Sequence, residues 1–196
     1  RLRPAGRMGS DSQATLLLMK QLKGAQPMPL ARSLPFPLCL ADADWAPATT
    51  ADLNKSPVEG FSAGLFDDSD PFKWEIMIMG PPDTPYEGGF FKATMEFPKS
   101  YPNEPPSLKI NSDFWHPNVY PDGRVCISIL HAPGDDQYGY ESASERWLPI
   151  HTVESILISV ISMLSVPNAD SPANLDAAKE FRDAPEAFKK RVGRCV

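Results

Sequence analysis

The sequence predicts an α+β fold: an N-terminal helix, a four-stranded antiparallel meander, a loop carrying Cys126, then C-terminal helices. Three observations carry it. Short strand-like apolar runs between Phe61 and Phe97 are separated by turn signals, and apolar residues after Trp147 recur at three and four. The prolines, 22 in 196 residues, gather where neither period holds.

Ser10 and Gln13 form a capping-box pattern ahead of Ala14 to Lys23, where only strong helix formers follow Thr15, so a first helix is expected over 10–23. Residues 24–51 hold five prolines, three charges and no period, and read as an insertion expected to be disordered. Removing them sets Leu18, Leu22 and Leu53 at i, i+4 and i+7, one continuous apolar stripe. A genuine proline-rich loop between two elements is the alternative. Residues 1–9 read as an extraneous, disordered start, with Met8 as the natural first residue, which leaves 52–196 for the main domain.

Strands are expected over 61–66, 73–79 and 90–97, with Asp67-Asp68-Ser69-Asp70 and Gly80-Pro81-Pro82-Asp83 between them. Trp74, Ile76 and Ile78 share one face of the second, although Met77 and Met79 make its other face apolar too. Residues 107–111 form a fourth, short strand. The prolines at 98, 102, 105 and 106 exclude regular structure before it and stiffen an extended loop.

After Trp147, Val153, Ile156, Leu157, Val160, Ile161 and Leu164 mark a mostly buried helix, with Thr152 as cap and Glu154 at its positive end. Ser171-Pro172 is read as the start of a second helix to about Phe181, and Asp183 as the cap of a third in which Phe188 and Val192 pair.

A net charge of −6 without an extended basic cluster argues against nucleic acid as a partner. The longest nearly uncharged apolar stretch, residues 156–166, is far shorter than the roughly 18 residues a membrane span needs, so direct membrane insertion is not expected. No signal-peptide pattern opens the chain. Three cysteines at 39, 126 and 195 without a CxxC pair support neither a disulfide framework nor a metal site, and a reducing, cytoplasmic setting fits.

Cys126 taken alone, within Val125-Cys126-Ile127-Ser128-Ile129-Leu130, suits a buried small hydrophobe. Its surroundings suit a functional loop instead. Asp122-Gly123 is a turn directly before it, Pro117 and Pro121 exclude a helix upstream, and the acidic run "GDDQYGYESASE" follows.

The segments "YEGGFFKATMEFP", "YPNEPP", "WHPNVYPDGRVCISILH", "ERWLP" and "PNADSPANLDAA" resemble, in order, those of the ubiquitin-conjugating enzymes. His116-Pro117-Asn118 stands eight residues before Cys126, the spacing of that family's signature. The extra residues between Leu130 and Trp147 resemble the subgroup with an acidic loop beside the cysteine, the G-type enzymes.

The resemblance implies that Cys126 accepts ubiquitin as a thioester from the ubiquitin-activating enzyme and passes it to a lysine of a protein substrate, with a RING-type ubiquitin ligase. The subgroup implies degradation-type polyubiquitin chains, made in the cytoplasm or on membranes reached through ligases. No cofactor is implied, because the activating enzyme consumes the ATP. Such a thiol also serves as leaving group, so strong acidification is not required. Asn118 has two readings: an oxyanion donor, commonly worth ~3 kcal/mol, or a structural cap on turn carbonyls.

His116 is read as a structural histidine, and His131 and His151 as solvent or packing residues without a role. Asp135, Asp136, Glu141 and Glu145 give the loop negative character, either as a solvated run or as an attractor for the incoming lysine.

Two departures from the family pattern stand out. Ser171 occupies the position where many members carry Asp, and Asn103 replaces a large apolar residue in the proline loop. Asn103, Pro105, Pro106, Leu148 and Pro149 are the ligase-facing candidates; Trp147 belongs with them or to the core. Two other readings remain. An inactive relative would bind ubiquitin or ligases without chemistry, because the insertion interrupts the first helix that docks the activating enzyme in this family. A cysteine hydrolase would need a histidine base that no motif supplies.

Overall fold

Alternation decides the sheet. In β2 (Asp70–Met79), Phe72, Trp74, Ile76 and Ile78 are buried, while the residues between them are partly exposed. In β3 (Phe90–Glu96) the buried set is Phe91, Ala93 and Met95, and in β4 (Ser107–Ile110) it is Leu108 and Ile110. These period-two sets face one side, so the strands bury a common face. With β1 (Phe61–Asp67) they form an antiparallel sheet in the order β1-β2-β3-β4. The register sets Ala93 opposite both Ile76 and Ile110.

The computed structural model describes residues 10–24, 60–134, 136 and 141–196. The expectations for 1–9, for 25–51 and for Leu53 lie outside these residues. The first helix, α1 (Ser10–Gly24), includes Ser10 as its first residue and buries Ala14 and Leu18, packing on β1 and β2.

Helix α2 (Val153–Ser165) buries Val153, Ile156, Leu157, Val160, Met163 and Leu164. Thr152 caps it reciprocally: its hydroxyl accepts from the Ser155 amide, and the Ser155 hydroxyl accepts from the Thr152 amide. Each large apolar side chain so buried stabilises by about 1.5–3 kcal/mol.

The last two helices start later than the sequence suggests. Helix α3 spans Leu175–Asp183 and is capped by Asn174, whose side chain accepts from the Ala177 amide. Ser171-Pro172 stays in the preceding loop because the amides of Ala173 and Asn174 donate to the carbonyl of Pro117 instead of opening a helix. Asp183 ends α3 rather than capping its successor. Helix α4 spans Pro185–Val192, with proline in its first turn and Phe188 and Val192 buried. Arg191 of α4 stacks 3.4 Å over Trp115 and pairs with Glu180, which also accepts from Trp115 Nε1. The C-terminal helices thereby brace the segment that leads into His116.

Trp147 belongs to the core: it is fully buried, and its Nε1 donates to the carbonyl of Pro102 at 2.8 Å. Among the described residues no helix is long and apolar enough to cross a membrane.

Candidate active site

A backbone hairpin places Cys126. Val119 and Val125 bridge across it, the Gly123 amide donates to the carbonyl of Tyr120, and the Cys126 amide donates to the carbonyl of Asn118 at 2.9 Å. The hairpin is fastened to β4 by main-chain bonds, Ile110 N to Gly123 O at 2.8 Å and Val125 N to Leu108 O at 2.9 Å. Gly123 turns the corner at φ 90°, where a Cβ would sit 2.1 Å from the carbonyl oxygen of Ile110. Only glycine meets both demands.

Residues 125–130 do not continue as a strand. After the bridge at Val125 the chain enters a 3-10 turn over Ser128–Leu130, which bends it back toward the cysteine. Cys126 is therefore half-buried, on the wall of a cleft of about 540 Å³ lined also by Asn118, His131, Glu141, Glu145 and Ser171. The other described cysteine, Cys195, donates its thiol to the Arg191 carbonyl on the far helix.

His116 is wholly buried. Its Nδ1 accepts from the Asn118 amide at 2.9 Å, and its Nε2 donates to the Met163 carbonyl of α2 at 3.1 Å. Burial pushes its pKa down to about 4, which keeps the ring neutral at physiological pH. Asn118 is also buried, and its carboxamide forms two bonds with the backbone of Asn168, Nδ2 donating to the carbonyl and Oδ1 accepting from the amide. The HPN segment is thus fixed to α2 and to the loop that follows it.

His131 departs from its assignment as a solvent or packing residue. Its Nε2 lies 3.5 Å from Cys126 Sγ, and its Nδ1 lies 2.8 Å from Glu141 Oε2. The backbone holds it too, since the Trp147 amide donates to its carbonyl. Glu141 accepts from the Ser128 hydroxyl at 2.8 Å and lies 3.8 Å from Arg146 Nε. Burial by itself raises the pKa of Glu141; the hydrogen bonds from His131 and Ser128 and the charges of His131 and Arg146 outweigh that and hold the carboxyl below its ordinary value. The Tyr120 hydroxyl approaches Cys126 Sγ at 3.9 Å, and the sulfur's charge beside it raises the phenol's pKa.

The acidic loop is partly self-neutralised. Arg146 faces Asp136 at 3.9 Å as well as Glu141, while the Glu145 carboxylate accepts from the Ser142 amide. Asp135 lies outside the described residues. Ser171 is exposed at the cleft, with its amide donating to Asn168 Oδ1.

Of the surface candidates, Asn103 and Pro149 are exposed, Pro105 and Leu148 partly so. Pro106 is buried and cannot present itself to a ligase. Ile150, overlooked in the sequence, is 81% exposed beside Pro149.

The helix, four-stranded meander and trailing helices form the ubiquitin-conjugating fold. A family model described as ubiquitin-conjugating enzyme matches residues 44–196. An Arabidopsis thaliana protein named ubiquitin-conjugating enzyme E2 13 is 58% identical over 186 residues, 95% of each chain. The human protein named ubiquitin-conjugating enzyme E2 G2 is 54% identical over 144 residues, 74% of this chain and 87% of its own. A solved structure of human ubiquitin-conjugating enzyme E2 G1 aligns with TM-score 0.57 at 47% identity, covering 82% of this chain and all of that one.

The chain belongs to the ubiquitin-conjugating enzyme family, and within it to the G-type. It is an acyltransferase of the thioester-forming kind, and its partners as a family member are ubiquitin, the activating enzyme and ubiquitin ligases.

Proposed function

We propose that Cys126 is the residue that carries ubiquitin, and that the chain passes it to substrate lysines with a RING-type ligase, building degradation-type polyubiquitin chains in the cytoplasm. The observation that carries this reading is the position of Cys126: a half-exposed thiol in the cleft, held by main-chain bonds eight residues after Asn118.

Asn118 serves two purposes in this reading. One Nδ2 hydrogen is committed to the carbonyl of Asn168, and an amide nitrogen carries two, so the second is left for the oxyanion of the tetrahedral intermediate. Asp136 and Glu145, with Asp135, attract the incoming lysine, and Ser171 stands at the cleft edge where it passes. Asn103, Pro105, Leu148 and Pro149 face the ligase, and Ile150 joins them. No cofactor is held by the chain; ATP is spent by the activating enzyme.

The test is an ATP-dependent charging assay on a non-reducing gel with activating enzyme and ubiquitin, run on the full chain, Cys126→Ala and a form lacking residues 24–51. A thiol-sensitive adduct on the full chain and none on Cys126→Ala is expected. Charging by the shortened form alone would mean that the insertion disables this chain and that it serves as a binding module; an adduct on Cys126→Ala would place the thioester elsewhere.

A further inference from the structure

We propose that His131 is a catalytic residue of the charging step, the group that takes the proton from Cys126, and that Glu141 is its positioning residue. The inference rests on the reading of Cys126 as the ubiquitin acceptor and adds a proton path to it.

The geometry has three parts. Glu141 is anchored from two sides, by the Ser128 hydroxyl at 2.8 Å and by Arg146 at 3.8 Å, so its carboxylate is fixed before it meets the imidazole. Nδ1 of His131 is 2.8 Å from Oε2 and 3.0 Å from Oε1. A carboxylate offers only acceptors, so Nδ1 carries the hydrogen and the lone pair of the neutral ring is on Nε2. That lone pair faces Cys126 Sγ at 3.5 Å, within reach of a thiol hydrogen. The imidazole is 34% exposed and the carboxylate 21%, so the pair is shielded yet open to the cleft.

Other charged or titratable groups surround the pair. Tyr120 lies 3.9 Å from the sulfur as a donor to it, with Arg124 stacked on its ring and Asp122 bound to Arg124. Glu145 lines the cleft, and Asp136 faces Arg146 at 3.9 Å. None of these is placed to accept the Cys126 proton as directly as Nε2.

In the step itself the Sγ–H bond breaks, its proton goes to His131 Nε2, and the sulfur electron pair attacks the carbonyl carbon of the ubiquitin thioester on the activating enzyme. The carbon–sulfur bond to that enzyme then breaks. Its sulfur leaves as thiolate and recovers the proton from the imidazolium. One thiol and one thioester give one thioester and one thiol, with the histidine unchanged.

A free thiol is a few per cent ionised at neutral pH, so a base that supplies the rest accelerates the step by about ten- to a hundredfold. The experiment is single-turnover transfer of ubiquitin from pre-charged activating enzyme to the full chain, His131→Gln, His131→Ala, Glu141→Gln and Cys126→Ala, between pH 6.5 and 9. His131→Gln is expected to lose about ten- to a hundredfold in the maximal rate at pH 7, with an unchanged half-saturating concentration. Most of that loss should vanish near pH 9, where hydroxide substitutes for the base. Free imidazole should restore His131→Ala, and Glu141→Gln should lose several-fold with the same recovery at high pH.

A His131→Gln rate equal to wild type overturns the proposal. So does a loss that is the same at every pH, or one confined to the half-saturating concentration, since both describe a structural role. If His131→Gln folds poorly, as thermal melting shows, the imidazole response of His131→Ala and the pH profile of Glu141→Gln decide. An adduct on Cys126→Ala defeats the underlying assignment of the thiol; normal dependence on Cys126 with no effect at His131 defeats the proton path alone.

Discussion

The carboxamide of Asn118 meets the backbone of Asn168 twice, Nδ2 to the carbonyl and Oδ1 from the amide, each at 2.8 Å. One side chain thus joins the turn before Cys126 to the loop after α2. The pairing satisfies the amide and the carbonyl of a loop residue that no secondary structure would otherwise pair.

Truncation exposes the cost of that junction. Asn118→Ala removes both bonds in a buried setting and should destabilise by about 2–3 kcal/mol. That corresponds to a melting temperature lowered by roughly 5–10 °C for a chain of this length. Calorimetry at pH 7 checks it, and an unchanged melting temperature would show the junction to be dispensable. Ubiquitin transfer to lysine should fall further than the loss of folded protein explains.

Gly123 is the next constraint. Gly123→Ala forces a β-carbon into a positive-φ turn and onto the Ile110 carbonyl, so a loss of about 2 kcal/mol or more is expected. Because the same turn positions Cys126, charging should slow as well. Denaturant unfolding and the charging assay read the two effects separately.

His116 makes stability depend on acid. Its folded pKa of about 4 lies below the ordinary 6.5, so below pH 6.5 the unfolded chain takes up a proton that the native chain refuses. Stability from this group is intact above 6.5, falls as pH drops toward 4, and changes no further below that. The full loss is about 3 kcal/mol, of which about 2 is gone by pH 5. Urea titrations of wild type and His116→Gln should show the gap between them narrowing by that amount from pH 7 to 5; a constant gap would refute the burial argument.

The charges of Asp135 and Asp136 should act on transfer rather than charging. Asp135→Asn with Asp136→Asn is expected to slow chain formation several-fold and leave the thioester signal intact. Chain synthesis from pre-charged protein measures it, and equal rates would discard the attractor.

The strands were readable because period-two burial and the turn clusters coincide, as in Trp74, Ile76 and Ile78 against Asp67 to Asp70. The starts of α3 and α4 were not. Ser171-Pro172 carries a valid local start signal, but Pro117, distant in sequence, takes the amides of Ala173 and Asn174 and moves the cap to Asn174.

Within the site, the Asn118-to-Cys126 spacing was visible and the partnership of His131 was not. It depends on a 3-10 turn where the sequence shows β-branched residues, and on Glu141 returning across the acidic loop. A histidine five residues after the cysteine, with a glutamate ten further on, was the available signal. Pro106 was misjudged because proline-rich loops look exposed, whereas this one tucks that residue inward.

The sulfur's address is written in main-chain bonds to β4 and to Asn118, none of which involves residues 131–146. The acidic loop is therefore an attachment rather than a foundation. Evolution, or an engineer, can lengthen or shorten the stretch between His131 and Glu141 and so retune which amine reaches the thioester, provided those two residues keep their places beside the nucleophile that the hairpin sets.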